Sequence, residues 1–171
     1  GIRGSAGTSI PMLEEAMASR QKSAQARIDS RRSKIAGIKG DQAAANQARI
    51  EKIASGTAAM DNAWVAHCLN QLKQDDDILV SESQLALGNL SLRDPGSFFG
   101  TSPSGGLGWG LGASLGAKLG QKDKRVFCVV GDGSYMFGNP TPAHFVSAAY
   151  ELPTLTVIMN NKMWGSVRKA T

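Results

Sequence analysis

Apolar and polar positions change rhythm along this chain. Residues 1–12 are small and flexible in composition and read as a tail or linker ending near Pro11. From Leu13 to about Ile53 the spacing is helical but weakly amphipathic, and Gly37 and Gly40 interrupt it. A pair of helices and a partly disordered arm both fit that stretch. A firmer pattern starts around Thr57, where Trp64, Cys68, Leu69 and Leu72 recur at helical spacing behind Asp61, an N-cap residue type. Asp75, Asp76 and Asp77 break that helix, and Ile78-Leu79-Val80 follows as a short strand. Val126-Phe127-Cys128-Val129-Val130 and Leu155-Thr156-Val157-Ile158-Met159 are further apolar runs, of the kind buried on both faces of a sheet. A helix at about Ala143–Tyr150, introduced by Pro140-Thr141-Pro142, separates these two runs. Continuous strands alternating with helices predict an α/β fold, a parallel sheet flanked by helices.

Composition narrows the class only a little. With 42% apolar and 19% charged residues in 171, the chain has the make-up of one globular domain with a real core. The net charge is +5, but most of the excess lies in residues 20–52, a segment rich in Ala and Gln without interleaved aromatics. A solvated helix or linker accounts for that charge better than a base-reading surface, so no nucleic-acid partner is expected. Cys68 and Cys128 lie far apart in apolar patterns and read as buried free thiols, not as metal ligands or a disulfide framework. Residues 95–117 carry no charge, yet their glycines, serines and prolines argue against a membrane span. No leader-like segment opens the sequence, and a cytoplasmic location is expected.

The 20 glycines cluster. Gly108, Gly112, Gly116 and Gly120 repeat every fourth position, and Leu107, Leu111, Leu115 and Leu119 repeat one position earlier. On a helix each set forms a row, one smooth and one apolar. Each glycine costs a helix about 1 kcal/mol relative to alanine, so the smooth row predicts a closely packed neighbour. A packed core helix without a ligand satisfies that pattern. The polar approach Thr101-Ser102-Pro103-Ser104-Gly105-Gly106 also suits a helix start whose backbone groups meet a ligand.

Stronger chemistry lies at the strand ends. The run 126–130 leads into Gly131-Asp132-Gly133-Ser134, and the run 155–159 ends in Asn160-Asn161. In an open α/β sheet, ligands bind at the carboxyl ends of strands. If these strands are parallel neighbours, a carboxylate and a carboxamide converge there. Asp, Asn and a backbone carbonyl make a hard, oxygen-only set suited to Mg²⁺, which commonly shares a phosphate with its protein site. The Gly133 amide and the Ser134 hydroxyl could hold phosphate oxygens. A simple turn explains GDGS alone; the pairing with a second buried strand ending in NN is far more specific.

This arrangement resembles the thiamine-diphosphate (ThDP) motif of the acetolactate synthase, benzoylformate decarboxylase and pyruvate oxidase group. The resemblance spans roughly Asp61 to Thr171, through Ser104-Gly105-Gly106-Leu107-Gly108, Gly131 to Ser134, and Val157 to Asn161 with Trp164-Gly165-Ser166-Val167-Arg168. It implies the ThDP-binding fold of the pyrophosphate-binding domain, with ThDP and Mg²⁺ as cofactors. It implies that Asp132 and Asn161 ligate Mg²⁺ by side chain and Met163 by its carbonyl, while Gly131, Gly133 and Ser134 line the diphosphate. Leu107 would prop the cofactor in its V shape, Gly105 would meet the aminopyrimidine, and Gly106 adjoins both. Gln84, in Glu82-Ser83-Gln84-Leu85, falls where a further diphosphate contact is expected.

The resemblance also implies cleavage or formation of a C–C bond next to a carbonyl: 2-oxo acid decarboxylation, carboligation or 2-hydroxyacyl lysis. The substrate would be a small 2-oxo acid or acyl compound. The activating glutamate belongs to a pyrimidine-binding domain that this chain does not contain, so no catalytic residue is expected here. Other chains or domains of the same enzyme would supply it, in a homodimer or homotetramer. Residues 1–56 then read as the end of a preceding domain and its linker. Residues 57–171 read as a ThDP pyrophosphate-binding domain, incomplete at its C-terminus: a fragment, a separate chain or a split subunit. The loop Tyr135–Pro142 is longer than in the commonest members of the group. A non-catalytic phosphate- or nucleotide-binding α/β domain is the alternative, but it has no need of Leu107 with Gly105. His144 could serve as an acid/base or sit on a helix surface, and Trp164 and Phe98-Phe99 could line a pocket or pack on the sheet.

Overall fold

A computed structural model describes residues 3–100 and 106–170. The chain divides into two compact units, Gly1–Glu51 and Lys52–Thr171. Helix α1 runs from Ala6 to Ala54 as one 49-residue element. It begins in the segment expected to be a tail, carries Pro11 inside it, and passes Gly37 and Gly40 without a break. Those glycines have no neighbour within 4 Å, so each costs the helix propensity and no packing.

The second unit is built around a sheet. Helix α2, Asn62–Leu72, starts where expected: the Asp61 carboxylate accepts hydrogen bonds from the N–H groups of Ala63 and Trp64 at 2.8 and 3.0 Å. Strand β1 is Ile78–Ser81, β2 is Phe98–Phe99, β3 is Val126–Gly131 and β4 is Leu155–Met159. Helix α3 is Trp109–Gly120, α4 is Asp132–Phe137, α5 is Pro140–Ala149 and α6 is Gly165–Ala170. All strand pairs are parallel, in the order β2-β1-β3-β4. The expected α/β architecture, a parallel sheet flanked by helices, is what the chain forms.

Strand alternation explains why β1 is apolar up to its last residue, Ser81, and β3 up to Gly131. Leu79, Phe127 and Val129 pack with Leu69 of α2 on one face. Ile78, Val80 and Val126 pack with Trp109, Ala113 and Ala117 on the other, where Cys128 and Val130 also meet Leu111. Both faces are therefore covered, and the buried Ser81 at the end of β1 is accommodated because its hydroxyl donates to the Ser83 carbonyl. Cys128 is fully buried and Cys68 half-buried; both thiols are free. Among the described residues, no helix is long and apolar enough to cross a membrane.

The strand order sets the position of the cleft. From β1 the chain goes to β2 on one side, then through α3 to β3 on the other. The connections leaving β1 and β3 thus diverge, and a crevice opens at their carboxyl ends.

Candidate functional site

A cleft of about 790 Å³ lies at these strand ends. Its walls include Gln84, Leu107, Gly131, Asp132, Gly133, Ser134, Asn161 and Met163. Gly106 adjoins Leu107 but is exposed and outside the lining, and Gly105 lies outside the described residues. The register pairs Gly131 with Met159, so Asp132 and Asn160 are the first residues beyond the β3–β4 ladder. Asp132 opens α4, and Gly133 and Ser134 follow in its first turn, where helix N–H groups lack intrahelical acceptors. The segment after GDGS, expected as a loop to Pro142, is instead α4, a short turn at Gly138-Asn139, and the start of α5.

Successive Asx turns shape the end of β4. Asn160 Oδ1 accepts from Lys162 N at 2.9 Å, and Asn161 Oδ1 accepts from Met163 N at 3.0 Å. Lys162 takes the left-handed conformation, φ +58°, that this reversal demands. The Met163 carbonyl accepts from Gly165 N at 2.9 Å and keeps a second lone pair. Gly133 is buried beneath Trp164: a Cβ there would stand 3.1 Å from the indole Cγ. Trp164 also meets Phe137 edge to face, so it lines the cleft as well as packing on the sheet end.

This donor set fits a hard cation bearing a phosphate. Among the described residues no hydrogen bond or ion pair engages the Asp132 carboxylate. Asn161 Oδ1 and the Met163 carbonyl are each only singly used. Among the described residues no group of three or more His, Cys, Asp or Glu gathers to hold a metal.

Glu82 was not singled out from the sequence. It follows β1 and also lines the cleft. Its Oε1 accepts from Gly108 N at 2.5 Å and its Oε2 from Gly110 N at 2.7 Å. The N–H groups at the start of α3, expected to be open to a ligand, are therefore held in part by a protein carboxylate. No local signal marks such a pair, because 26 residues separate Glu82 from Gly108. Behind this wall, burial pushes the Cys128 thiol up to about 11; a Ser114 hydrogen bond opposes the rise and the Glu82 charge adds to it. The thiol stays protonated and inert at neutral pH.

The glycine row also behaves differently from its periodicity. Gly108 precedes α3, and the close approaches are at Gly108 and Gly110; Gly112, Gly116 and Gly120 face open space. His144 is exposed on α5 and shares a 2.8 Å hydrogen bond between its Nε2 and the Tyr135 hydroxyl, outside the cleft lining. Phe98 packs into the core from β2, while Phe99 is exposed.

The family pattern described as thiamine pyrophosphate enzyme, C-terminal TPP binding domain, matches residues 80–171, more than half of the chain. Among solved structures, the chain is similar to the Rhodococcus jostii RHA1 thiamine diphosphate-dependent 4-hydroxybenzoylformate decarboxylase, at 33% sequence identity and a TM-score of 0.59. That match covers 66% of this chain and 22% of the decarboxylase, so this chain spans about a fifth of that enzyme's length.

Proposed function

We propose a function from the premise that this chain belongs to the thiamine pyrophosphate enzymes and carries their C-terminal ThDP-binding domain. It anchors the diphosphate of ThDP through Mg²⁺, for an enzyme that cleaves or forms a C–C bond next to a carbonyl. One observation carries the proposal: the Asp132 carboxylate, which no hydrogen bond or ion pair engages among the described residues, shares the strand-end cleft with Asn161 and Met163.

In this proposal Asp132 Oδ, Asn161 Oδ1 and the Met163 carbonyl hold Mg²⁺. The charge of the metal offsets the diphosphate that Gly133, Ser134 and Gln84 contact. Leu107 shapes the apolar part of the cleft. Bound ThDP supplies the carbanion-stabilising chemistry, and the protein supplies position and field. The likeness to a 4-hydroxybenzoylformate decarboxylase favours 2-oxo acid decarboxylation over carboligation or lyase chemistry. A pyrimidine-binding domain, from other chains or domains of the same enzyme in a homodimer or homotetramer, supplies the activating carboxylate. A cytoplasmic location accompanies this proposal.

Calorimetric titration of ThDP into the full-length protein, with and without Mg²⁺, tests this. Mg²⁺-dependent binding is expected, and Asp132→Ala should lose that dependence together with most of the affinity. Absence of Mg²⁺-dependent binding by the unaltered protein defeats the proposal. Equal binding by Asp132→Ala defeats only the ligand assignment.

A further inference from the structure

We infer that Glu82 is a positioning residue of the cofactor cleft, holding Leu107 in place by clamping the turn that carries it; this rests on the ThDP function proposed above. Three features support it. The Glu82 backbone is fixed to the sheet, since its N–H donates to the Val129 carbonyl at 2.9 Å and extends the β1–β3 ladder by one residue. Just beyond, the Ser81 hydroxyl donates to the Ser83 carbonyl at 2.7 Å and folds the chain back. The carboxylate therefore projects from a stiff base.

The carboxylate is also bidentate. It accepts from Gly108 N and Gly110 N at 2.5 and 2.7 Å, while Gly108, the N-cap of α3, offers no side-chain cap of its own. Charge-assisted bonds of this kind are roughly twice as strong as neutral ones, and a negative charge at a helix N-terminus adds to them. Glu82 thus does from a neighbouring strand what an Asp or Ser at the cap position normally does locally.

Lastly, the turn is wedged from behind. A Cβ on Gly108 would lie 2.7 Å from Gly138 Cα, and one on Gly110 would lie 2.9 Å from Val130 Cγ1. Glu82 therefore holds the N–H of the peptide that follows Leu107, while Gly138 packs closely against Gly108 just after it. Leu107 and Glu82 both line the cleft. A side chain that shapes a ligand must resist being pushed aside, and Glu82 supplies that stiffness through charge.

The test uses the full-length protein with Glu82→Gln, Leu107→Ala and the double variant. Glutamine keeps the volume of Glu82 but turns an NH₂ toward one of the two N–H donors. Without ThDP, hydrogen–deuterium exchange over residues 106–112 should quicken in Glu82→Gln. At saturating Mg²⁺, each single variant should raise the Kd for ThDP about tenfold, the order expected for losing a charged hydrogen bond. The double variant should bind no worse than Leu107→Ala, because Glu82 acts through Leu107. Multiplicative effects in the double variant would overturn the inference. So would faster exchange with unchanged Kd, which is the behaviour of a mere helix cap. If Glu82→Gln does not fold, Glu82→Asp takes its place: it keeps the charge but is one methylene too short to reach both the Gly108 and Gly110 N–H groups. An unaltered protein that binds no ThDP removes the proposed function and this inference together; binding with a multiplicative cycle removes only the inference.

Discussion

At Gly108 a Cβ would stand 2.7 Å from the backbone of Gly138, on a residue whose φ is +83°. Both the steric contact and the left-handed conformation oppose a side chain. Gly108→Ala should therefore destabilise the fold by about 1–3 kcal/mol, read as a lower denaturant midpoint. Gly116 belongs to the same four-residue row but lies inside α3 with nothing within 4 Å. There alanine removes only unfolded-state freedom, and Gly116→Ala should raise stability by roughly 0.5–1 kcal/mol. A loss at Gly116 instead would reveal a neighbour packed on that face in the assembled protein. Periodicity made the row visible in the sequence, but it could not tell which members a neighbour approaches. That depends on where α3 begins, and the beginning is fixed by Glu82, far away in the chain.

Among the elements, β1 and β3 were legible because a doubly covered strand is built mainly of apolar residues, and runs such as Ile78–Val80 and Val126–Val130 stand out. Strand β2 was not, since a two-residue edge strand carries no period. Helix α4 was hidden because its start, Asp132-Gly133-Ser134, has turn-like composition; it forms under Trp164 and with its C-cap Gly138 against Gly108, contacts supplied from elsewhere. At the start of β1, the Asp77 carboxylate is buried and accepts from Gln74 N at 2.6 Å and from Arg125 Nε and Nη2 at 2.9 and 2.5 Å. Burial alone would raise its pKa. The hydrogen bonds from Arg125 and Gln74, with the charges of Arg125 and Lys73, outweigh that and hold it below its ordinary value. Because the folded state binds this proton less readily than the unfolded chain, the stabilisation is present above about pH 4 and is lost as pH falls through the folded-state value. Asp77→Asn should lower stability at neutral pH by about 1–3 kcal/mol. It should also flatten the acid limb of the stability–pH curve below pH ~4, measured by urea unfolding at a series of pH values.

For the unit Lys52–Thr171, the sheet is unevenly covered. β1 and β3 are sealed, but β4 ends the strand order and leaves Leu155 and Ile158 exposed at 53% and 42%. Phe145 and Tyr150, on and just after α5, are exposed at 71% and 69%. A strand with a free edge and apolar faces is a template for association unless charge, proline or a neighbour blocks it. None of the five residues of β4 is charged or proline. The sequence marks β4 as buried, and the physical demand behind that pattern is cover that the described residues do not provide. Residues 52–171 produced alone should therefore self-associate, with light-scattering mass rising with concentration. Leu155→Lys, which places a charge at the start of the open edge without touching the cleft lining, should shift the segment toward monomer and leave the Asp132 region unchanged. If the unaltered segment stays monomeric at high concentration, then β4 needs no partner, and the continuous apolar run would have to reflect strand propensity alone.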